Sequence, residues 1–298
     1  MRNEALETFV AVHRAGSIVG ATEALHLSQP AVSRRLAALE RELGAPLFER
    51  LAAGLRPTTA GDALLPHAEA ALAAEQDGVD AVRELTAQPI GPVTIAIVGS
   101  LAGSWLTGAL RDFARDHPDA ELAITTATSA EVCDQVRRGD AALGVSYATG
   151  VLPGLDVEPL FDEALVAVCA PDHHLAGRTV GSIADLADET WLVFPTIGTR
   201  PESSGDRIRR SLTAVGVADE SLRPIDSLTA QKRLAEAGFG IALVPESMVA
   251  EELAAGSLAT IDLRRPMPPT PVTLATRTGG YLSRAATALR TALRTAAT

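Results

Sequence analysis

The feature that most constrains the fold is a helix, a tight turn and a second helix between residues 18 and 43. Residues 18–26, IVGATEALH, place small and apolar side chains at helical spacing, and Leu27-Ser28 interrupts the pattern. Ser28 then stands where an N-cap is expected, and Pro30 falls in the first turn, where its missing N–H costs nothing. A further helix is predicted at 3–15, so the first 43 residues form a small helical domain.

The helix predicted from residue 29 has two different faces. We expect its apolar face to lie in the core; this face consists of Val32, Leu36, Leu39 and Leu43. We expect Glu40 to pair with a nearby arginine. The opposite face carries Pro30, Ser33, Arg34, Ala37 and Arg41. Short polar groups and a guanidinium at a helix N-terminus suit a phosphate-lined groove, and a helix after a tight turn is typical of DNA-binding motifs. The alternative is an ordinary solvated helix face.

Two more local patterns follow this helix. APLFER, LAAG and LRPT predict a β-hairpin, with Arg50 and Arg56 flanking its tip. Residues 59–87 predict a long helix. Residues three and four apart form a mostly apolar stripe along it: Leu65, Ala68, Leu72, Glu75, Val79 and Val82. We expect this stripe to join two copies of the chain; the alternative is a helix packed on its own domain.

The charge distribution favours a nucleic-acid partner only for the N-terminal segment. The chain has a formal net charge of −11, which by itself argues against a polyanionic partner. Residues 1–65, however, contain seven Arg and seven acidic residues, and residues 28–58 contain five Arg and three Glu. The acidic excess therefore belongs to the rest of the chain.

A cluster of helix breakers at residues 88–92, QPIGP, separates this part from an α/β region. The predicted strands are 93–98, 120–127, 142–147, 164–170, 191–194, 241–244 and 271–276. The predicted helices are 103–115, 129–138, 203–215, 227–237 and 281–296. A region of this size is larger than one simple α/β unit, so we expect two lobes with a cleft.

Together these patterns resemble the LysR-type transcriptional regulators. The matching residues are Phe9, Gly16-Ser17, Ala21, Leu25, the run from Ser28 to Ser33, Leu39-Glu40, Leu43-Gly44, Leu47-Phe48, Arg50 and the run from Pro57 to Gly61. The resemblance is dense over about 60 residues and extends as a layout along the rest of the chain. One departure is Gly20, where an alanine is usual, at an expected cost of about 1 kcal/mol in helix propensity.

The resemblance implies a multidomain fold: an N-terminal helical, winged helix-turn-helix DNA-binding domain (1–58), a linker and dimerisation helix (59–87) and an α/β two-lobed effector domain of periplasmic-binding-protein type (88–298). Lobe I is expected at about 91–161 and 268–298, and lobe II at about 162–267. The family's DNA-facing positions fall on Gln29, Pro30, Ser33 and Arg34, with Arg35 and Arg56 as further candidates. Glutamine can bond adenine, arginine can bond guanine or phosphate, and proline can pack on a thymine methyl group.

The resemblance also implies a small-molecule effector between the lobes, a homodimer through the linker helix and usually a homotetramer. Ligands of open α/β sheets collect beyond the carboxyl ends of strands, where helix N-termini offer N–H groups. The candidate ligand-binding residues are Ser100, Leu101, Thr128, Tyr147, Thr196 and Thr199. Hydroxyl groups among N–H groups suit a carboxylate or another anion; the alternative for each, and the preferred one for Ser129, is a plain helix cap.

Other classes of function have less support. An α/β enzyme acting on a small anionic metabolite is the main alternative, but no GxSxG, GxxxxGK[ST], HExxH or GxGxxG motif is present. We expect His173-His174 to be a surface pair, Cys133 and Cys169 to be buried and inert, and no catalytic residue, metal site or cofactor. The absence of a secretion signal argues against a transport-type solute-binding protein and favours the cytoplasm, and no apolar run is long enough to span a bilayer.

Overall fold

The structure, a computed structural model, describes residues 3–51, 54–86, 92–103, 105–195 and 204–297. It divides into two units: Met1–Ala87 with two short segments, Arg137–Gly139 and Gly279–Tyr281, and the remainder of the chain. Among the described residues, no helix combines the length and the apolar character needed to cross a membrane.

The first unit contains the helices and the hairpin that the sequence predicts. Its elements are α1 (Asn3–Ala15), α2 (Ile18–Leu25), α3 (Gln29–Leu43), β1 (Phe48–Leu51), β2 (Gly54–Pro57) and α4 (Thr59–Thr86). The two strands pair antiparallel, with Phe48 opposite Pro57 and Leu51 opposite Gly54. Phe9 and Phe48 lie at the centre of the core, with ring centroids 5.5 Å apart.

Two expectations for α3 were wrong in detail, and the expected N-cap position of Ser28 is confirmed. Leu43 is 41% exposed, because it lies in the last turn before Gly44 ends the helix with a φ of 70°. The Glu40 side chain accepts a hydrogen bond from the backbone N–H of Leu47 at 2.8 Å rather than pairing with an arginine. Ser28 is the N-cap residue, but its side chain makes no capping hydrogen bond.

Two glycines of this unit occupy positions where a larger residue would collide. A Cβ atom at Gly20 would lie 2.8 Å from the Cβ of Ala15, so the glycine permits a close approach between the start of α2 and the end of α1. A Cβ atom at Gly61 would lie 2.3 Å from the backbone oxygen of Leu47. The propensity cost at Gly20 is therefore accompanied by a packing requirement.

The stripe along α4 has two halves with different surroundings. Leu65, Ala68 and Leu72 pack against the core of the first unit, as the alternative of a helix packed on its own domain implies for this half. Further along, Val79 is 39% and Val82 is 63% exposed. Within the stripe, the exposed apolar residues are those of the C-terminal half of the helix.

The second unit alternates strands and helices. Its strands are β3 (Val93–Val98), β4 (Leu122–Ala127), β5 (Leu143–Ser146), β6 (Leu155–Glu163), β7 (Leu165–Cys169), β8 (Thr179–Val180), β9 (Trp191–Val193), β10 (Leu222–Pro224), β11 (Ile241–Pro245), β12 (Ala259–Leu263) and β13 (Thr270–Arg277). Its helices are α5 (Trp105–Asp116), α6 (Ser129–Arg138), α7 (Ser204–Ala214), α8 (Leu228–Glu236), α9 (Ala250–Ala255) and α10 (Arg284–Ala296).

A five-stranded sheet has the strand order β4-β3-β5-β13-β6. β3 is parallel to both β4 and β5, with Val98 opposite Ala127 and Ile97 opposite Val145. The carboxyl ends of these three strands therefore meet at one edge of the sheet. One face packs against α5 and α10, which contribute Phe113 and Leu289 to the core.

A six-stranded sheet has the order β10-β9-β11-β7-β12-β8 and is built around buried residues such as Trp191 and Leu212. The sequence did not predict β6, β8, β10, β12 or α9. The longest of these, β6, contains Pro159 and several acidic residues, which disfavour a strand. It is tolerated because β6 is an edge strand that pairs only with β13.

Candidate functional site

The outer face of α3 presents the residues that the sequence marked as DNA-facing. Gln29, Pro30 and Arg34 are exposed, and Ser33 is half-buried. Val32, Leu36 and Leu39 are buried on the opposite face and hold the helix on the core. The alternation arises because residues three and four apart share one helix face.

The two adjacent arginines of α3 have different surroundings. Arg35 forms an ion pair with Glu4 of α1, with Nη2 2.9 Å from Oε2, and its side chain is 31% exposed. Within the part of the chain that the structure describes, Arg34 has no hydrogen-bond or ion-pair partner, and it is exposed. Arg34 is therefore free to meet a ligand, whereas Arg35 already fixes α3 to α1.

The hairpin carries one of the predicted arginines in an ion pair. The Nε of Arg56 donates to Glu49 on the facing strand at 2.7 Å, as their register across the hairpin requires. Both side chains are well exposed, so the pair is weak and can exchange for another anion. Arg50 lies opposite Leu55, nearer the tip.

In the second unit, four predicted ligand residues follow the strand ends that meet at one edge. Ser100 and Leu101 lie in a 3₁₀ turn, Gly99–Gly103, directly after β3. Thr128 follows β4 and Tyr147 follows β5. Ser100 is half-buried and Thr128 exposed, whereas Leu101 is wholly buried in the core. The side chain of Leu101 is therefore core, and only its backbone could meet a ligand.

Thr128 caps α6. Its N–H and its hydroxyl each donate to the same carboxylate oxygen of Glu131 at 2.9 Å. These two bonds, the backbone one first, hold the pKa of Glu131 below its usual value. A second anion at this helix end would meet the negative charge of Glu131, so the plain cap describes Thr128 better than a ligand contact does.

Tyr147 is a buried connector at the same edge. Its hydroxyl donates to the Glu163 carboxylate at 2.8 Å, and its backbone N–H lies 3.4 Å from the Ser129 oxygen. Burial, followed by the charge of Glu163, raises the pKa of the Tyr147 hydroxyl far above its usual value; a hydrogen bond with Ser100 lowers it in part. The hydroxyl is therefore a permanent donor.

Glu163, the last residue of β6, is only 5% exposed and accepts from two hydroxyl groups. The second donor is Ser247, which follows β11 of the six-stranded sheet. Glu163 thus ties the end of the five-stranded sheet to a turn of the other sheet. Two charge-assisted hydrogen bonds offset the cost of burying this carboxylate.

Arg207 of α7 provides a cation beside the same strand end. Its Nη2 donates to the backbone oxygen of Tyr147 at 3.2 Å and to the Thr149 hydroxyl at 3.3 Å. Burial, with the positive charge of Arg210, lowers the pKa of Arg207. Within the described part of the chain no carboxylate pairs with Arg207, and a half-buried guanidinium of this kind is suited to an anionic ligand.

The sequence did not identify Glu163, Ser247 or Arg207. Glu163 could have been noticed as an acid between two apolar runs, LF and LVAV, but nothing local distinguishes Ser247 or Arg207. Two predicted ligand residues, Thr196 and Thr199, lie outside the described residues.

Comparisons with known proteins agree along the whole chain. The family of bacterial regulatory helix-turn-helix proteins of lysR type matches residues 3–62, and the LysR substrate binding domain matches residues 86–298. The HTH-type transcriptional regulator TfdS of Cupriavidus pinatubonensis is 31% identical over 245 residues, 82% of each chain. MetR of Escherichia coli is 32% identical over 246 residues, 82% of this chain and 74% of that one.

Among solved structures, CbnR, a LysR family transcriptional regulator, is 26% identical and superposes over 100% of both chains with a TM-score of 0.65. Both domain families and these relatives are transcriptional regulators, so the enzyme alternative is not supported. The chain belongs to the LysR family: it is a DNA-binding transcriptional regulator with an effector-binding domain.

Proposed function

We propose that this regulator recognises a pseudo-palindromic DNA site through the N-terminal half of α3 and the hairpin, and that a small anion in the effector domain changes this recognition. The observation that carries the DNA part is Arg34, an exposed cation on α3 without a partner in the described part of the chain. An unpaired arginine can bond guanine or phosphate without first breaking an ion pair.

The other members of the α3 surface have complementary chemistry. Gln29 can bond the edge of an adenine, Pro30 can pack on a thymine methyl group, and Ser33 can bond a base or a phosphate. Arg56 contacts the DNA backbone after exchanging Glu49 for a phosphate, since their pairing is exposed. Arg35 contributes indirectly, by holding α3 in place through Glu4.

The effector is a carboxylate or a similar small anion. This is supported by the hydroxyl of Ser100 at the end of β3 and by the guanidinium of Arg207, both of which contact Tyr147. An anion there would compete with the bonds that Arg207 makes to the loop after β5. It would therefore change the contacts between α7 and the five-stranded sheet. The ligand acts only through a difference in its affinity for the two arrangements.

The protein acts as a homodimer through α4, and pairs of dimers form a tetramer. The exposed apolar residues in the C-terminal half of α4, which are Val79, Val82 and Leu85, support the dimer contact. Two recognition helices then meet half-sites about one helical turn apart or a multiple of it. Since the target is bacterial DNA, the protein works in the cytoplasm.

The test is a fluorescence-anisotropy titration of the full-length protein against the intergenic DNA beside its own gene, with scrambled DNA of equal length as the control. Titration at two salt concentrations separates specific from purely electrostatic binding. We expect tighter binding of the native fragment at both salt concentrations. Equal, salt-sensitive binding to both fragments at several intergenic regions would contradict the DNA part of the proposal.

A second titration tests the effector part with a panel of small carboxylates and matched neutral amides. We expect one carboxylate to shift the DNA affinity of the wild-type protein and not that of Arg207→Ala. Ser100→Leu should likewise lose the response while keeping DNA binding. If neutral amides act as strongly as carboxylates, or if both variants respond like the wild type, the effector assignment is wrong.

A further inference from the structure

We propose that His173, His174 and Glu189 form a binding site for a divalent transition-metal ion of the zinc type. The site lies in the second unit, at the edge of the six-stranded sheet, and is separate from the residues proposed for DNA and effector binding. The proposal does not depend on the proposed function. It rests on three metal-ligating side chains that meet in space although the sequence separates the glutamate from the histidines by more than a dozen positions.

The topology of the sheet brings these residues together. β7 is antiparallel to β11, whereas β9 is parallel to it, so the end of β7 and the start of β9 lie at the same edge. His173 and His174 follow the end of β7, and Glu189 precedes the start of β9. The meeting of the three side chains therefore follows from the strand order and not from a local motif.

The distances are those of a metal-ligand set. Nε2 of His173 lies 3.6 Å from one carboxylate oxygen of Glu189, and Nε2 of His174 lies 3.1 Å from the other. The three ligand atoms lie within 4.8 Å of one another. A tetrahedral zinc ion with bonds of about 2.0–2.1 Å holds its ligand atoms roughly 3.3 Å apart. The observed separations require only small side-chain movements to match this value.

The surrounding structure holds two of the ligands and leaves the third side open. The side chains of His173 and Glu189 are 16% and 22% exposed, whereas that of His174 is 67% exposed. The N–H of Glu189 donates to the backbone oxygen of Leu186, which also accepts from the indole N–H of Trp191. Glu189 is thus fixed on the buried side, and the open side leaves room for water as a further ligand.

The position of the ring proton on His173 determines which hydrogen bond is lost when a metal ion binds. The backbone N–H of Leu175 lies 3.3 Å from Nδ1, so Nε2 carries the ring proton and faces Glu189 when no metal is bound. Binding through Nε2 moves the proton to Nδ1 and gives up this long bond. Cys169, which is close in sequence, is not a ligand because its thiol is buried and donates to the backbone oxygen of Ala259.

The ligand set selects the class of ion. Imidazole nitrogens suit zinc, copper, nickel and cobalt, while magnesium and calcium prefer oxygen ligands. Two imidazoles with one carboxylate and water is an arrangement used for zinc. The competing explanation is a histidine–carboxylate ion pair without metal, and the experiment below distinguishes the two.

The test uses the full-length protein without an affinity tag, treated with a chelator and dialysed. Isothermal titration with ZnCl₂ should show saturable binding of one ion per chain, and CoCl₂ should give a visible absorption band. Both Glu189→Gln and His174→Ala should weaken zinc binding by more than about tenfold. His67→Ala, which removes an exposed histidine of α4, is the matched control and should bind like the wild type.

Each other outcome would overturn the site. Absence of saturable zinc uptake would leave only the ion pair. Uptake that is equal in Glu189→Gln, His174→Ala and the wild type would place the ion elsewhere. Circular dichroism of Glu189→Gln, which keeps the size of the side chain, checks that a loss of binding is not a loss of fold.

Discussion

The two units place their functional residues in opposite ways. The candidate DNA surface of the first unit comes from one short segment, from Gln29 to Arg56, in which a single helix face and a hairpin supply every residue. The site of the second unit is assembled from distant segments: Tyr147 meets Arg207 across 60 positions, and Glu163 meets Ser247 across 84. A surface on one helix can be derived from helical spacing, whereas a site between strand ends depends on the sheet order.

The largest expected effect tests whether the distant contacts hold the second unit together. Glu163→Ala leaves the buried hydroxyl of Tyr147 and the half-buried hydroxyl of Ser247 without their acceptor. At about 1–3 kcal/mol for the buried group and less for the half-buried one, the free energy of unfolding should fall by on the order of 2–4 kcal/mol. Urea unfolding followed by tryptophan fluorescence measures this, because both tryptophans of the chain, Trp105 and Trp191, lie in the second unit.

Glu163→Gln is the control, since it keeps the size of the side chain and one acceptor oxygen. Its loss of stability should be clearly smaller than that of Glu163→Ala. A Glu163→Ala variant within about 0.5 kcal/mol of the wild type would mean that the contact contributes nothing.

The next largest effect on stability is expected in the first unit, where Gly61 lies too close to the backbone of Leu47 for a larger residue. Gly61→Ala places a Cβ 2.3 Å from the backbone oxygen of Leu47 and should destabilise this unit by about 1–3 kcal/mol. Gly78→Ala in the same helix has no atom within 4 Å of its new Cβ and should stabilise α4 by up to about 1 kcal/mol. Thermal unfolding by circular dichroism compares the two; equal shifts would exclude the collision as the cause.

A comparable effect on DNA affinity, rather than stability, is expected from the paired arginines of α3. Arg34→Ala should weaken specific binding by about 1–3 kcal/mol, because it removes a direct contact. Arg35→Ala should cost less than about 1 kcal/mol, because it removes a partly exposed pair with Glu4. Anisotropy titrations measure both, and a larger loss for Arg35→Ala would reverse their assigned roles.

The smallest expected effect is the pH dependence contributed by Glu131. Its pKa is lower in the folded protein than in the unfolded chain, so its contribution is fully present above the unfolded pKa of about 4.3. That contribution is lost as the pH falls through the folded pKa. The free energy of unfolding of the wild type should therefore fall more between about pH 6 and about pH 3 than that of Glu131→Gln. Parallel curves would show that the cap carries no pH dependence.

Individual residues of the first unit show which structural features could be predicted from the sequence and which could not. The boundaries of α1, α3 and β3 and the exposed positions of Pro30 and Arg34 followed from spacing, whereas Gln29 came from the resemblance to the LysR family. The prediction that Leu43 is buried was wrong because spacing places a residue on a helix face but does not say where the core ends. The predicted pairing of Glu40 with an arginine was wrong because its partner, the Leu47 amide, is a backbone group that no side-chain pattern reveals.

The second unit shows the other limit. Its strands β3, β5 and β13 were predicted because apolar runs mark strands that are buried in a sheet, and β4 was predicted although it is an exposed edge strand. β6 was not predicted because an edge strand tolerates Pro159 and acidic residues. Glu163, which ends this strand, was therefore not identified either. The role of Thr128 stayed open in the sequence because a hydroxyl at a helix start looks the same whether it caps the helix or faces a ligand.

The sequence by itself determined the family, the elements of the first unit and the two faces of α3, because these depend on residues that are close along the chain. Only the tertiary structure decided that Arg34 has no partner among the described residues while Arg35 is bound to Glu4, that Glu163 joins Tyr147 to Ser247, and that Glu189 meets the two histidines. Each of these depends on which strands and helices become neighbours. That choice is made by burial of apolar surface over a whole unit, and no local stretch of sequence records it.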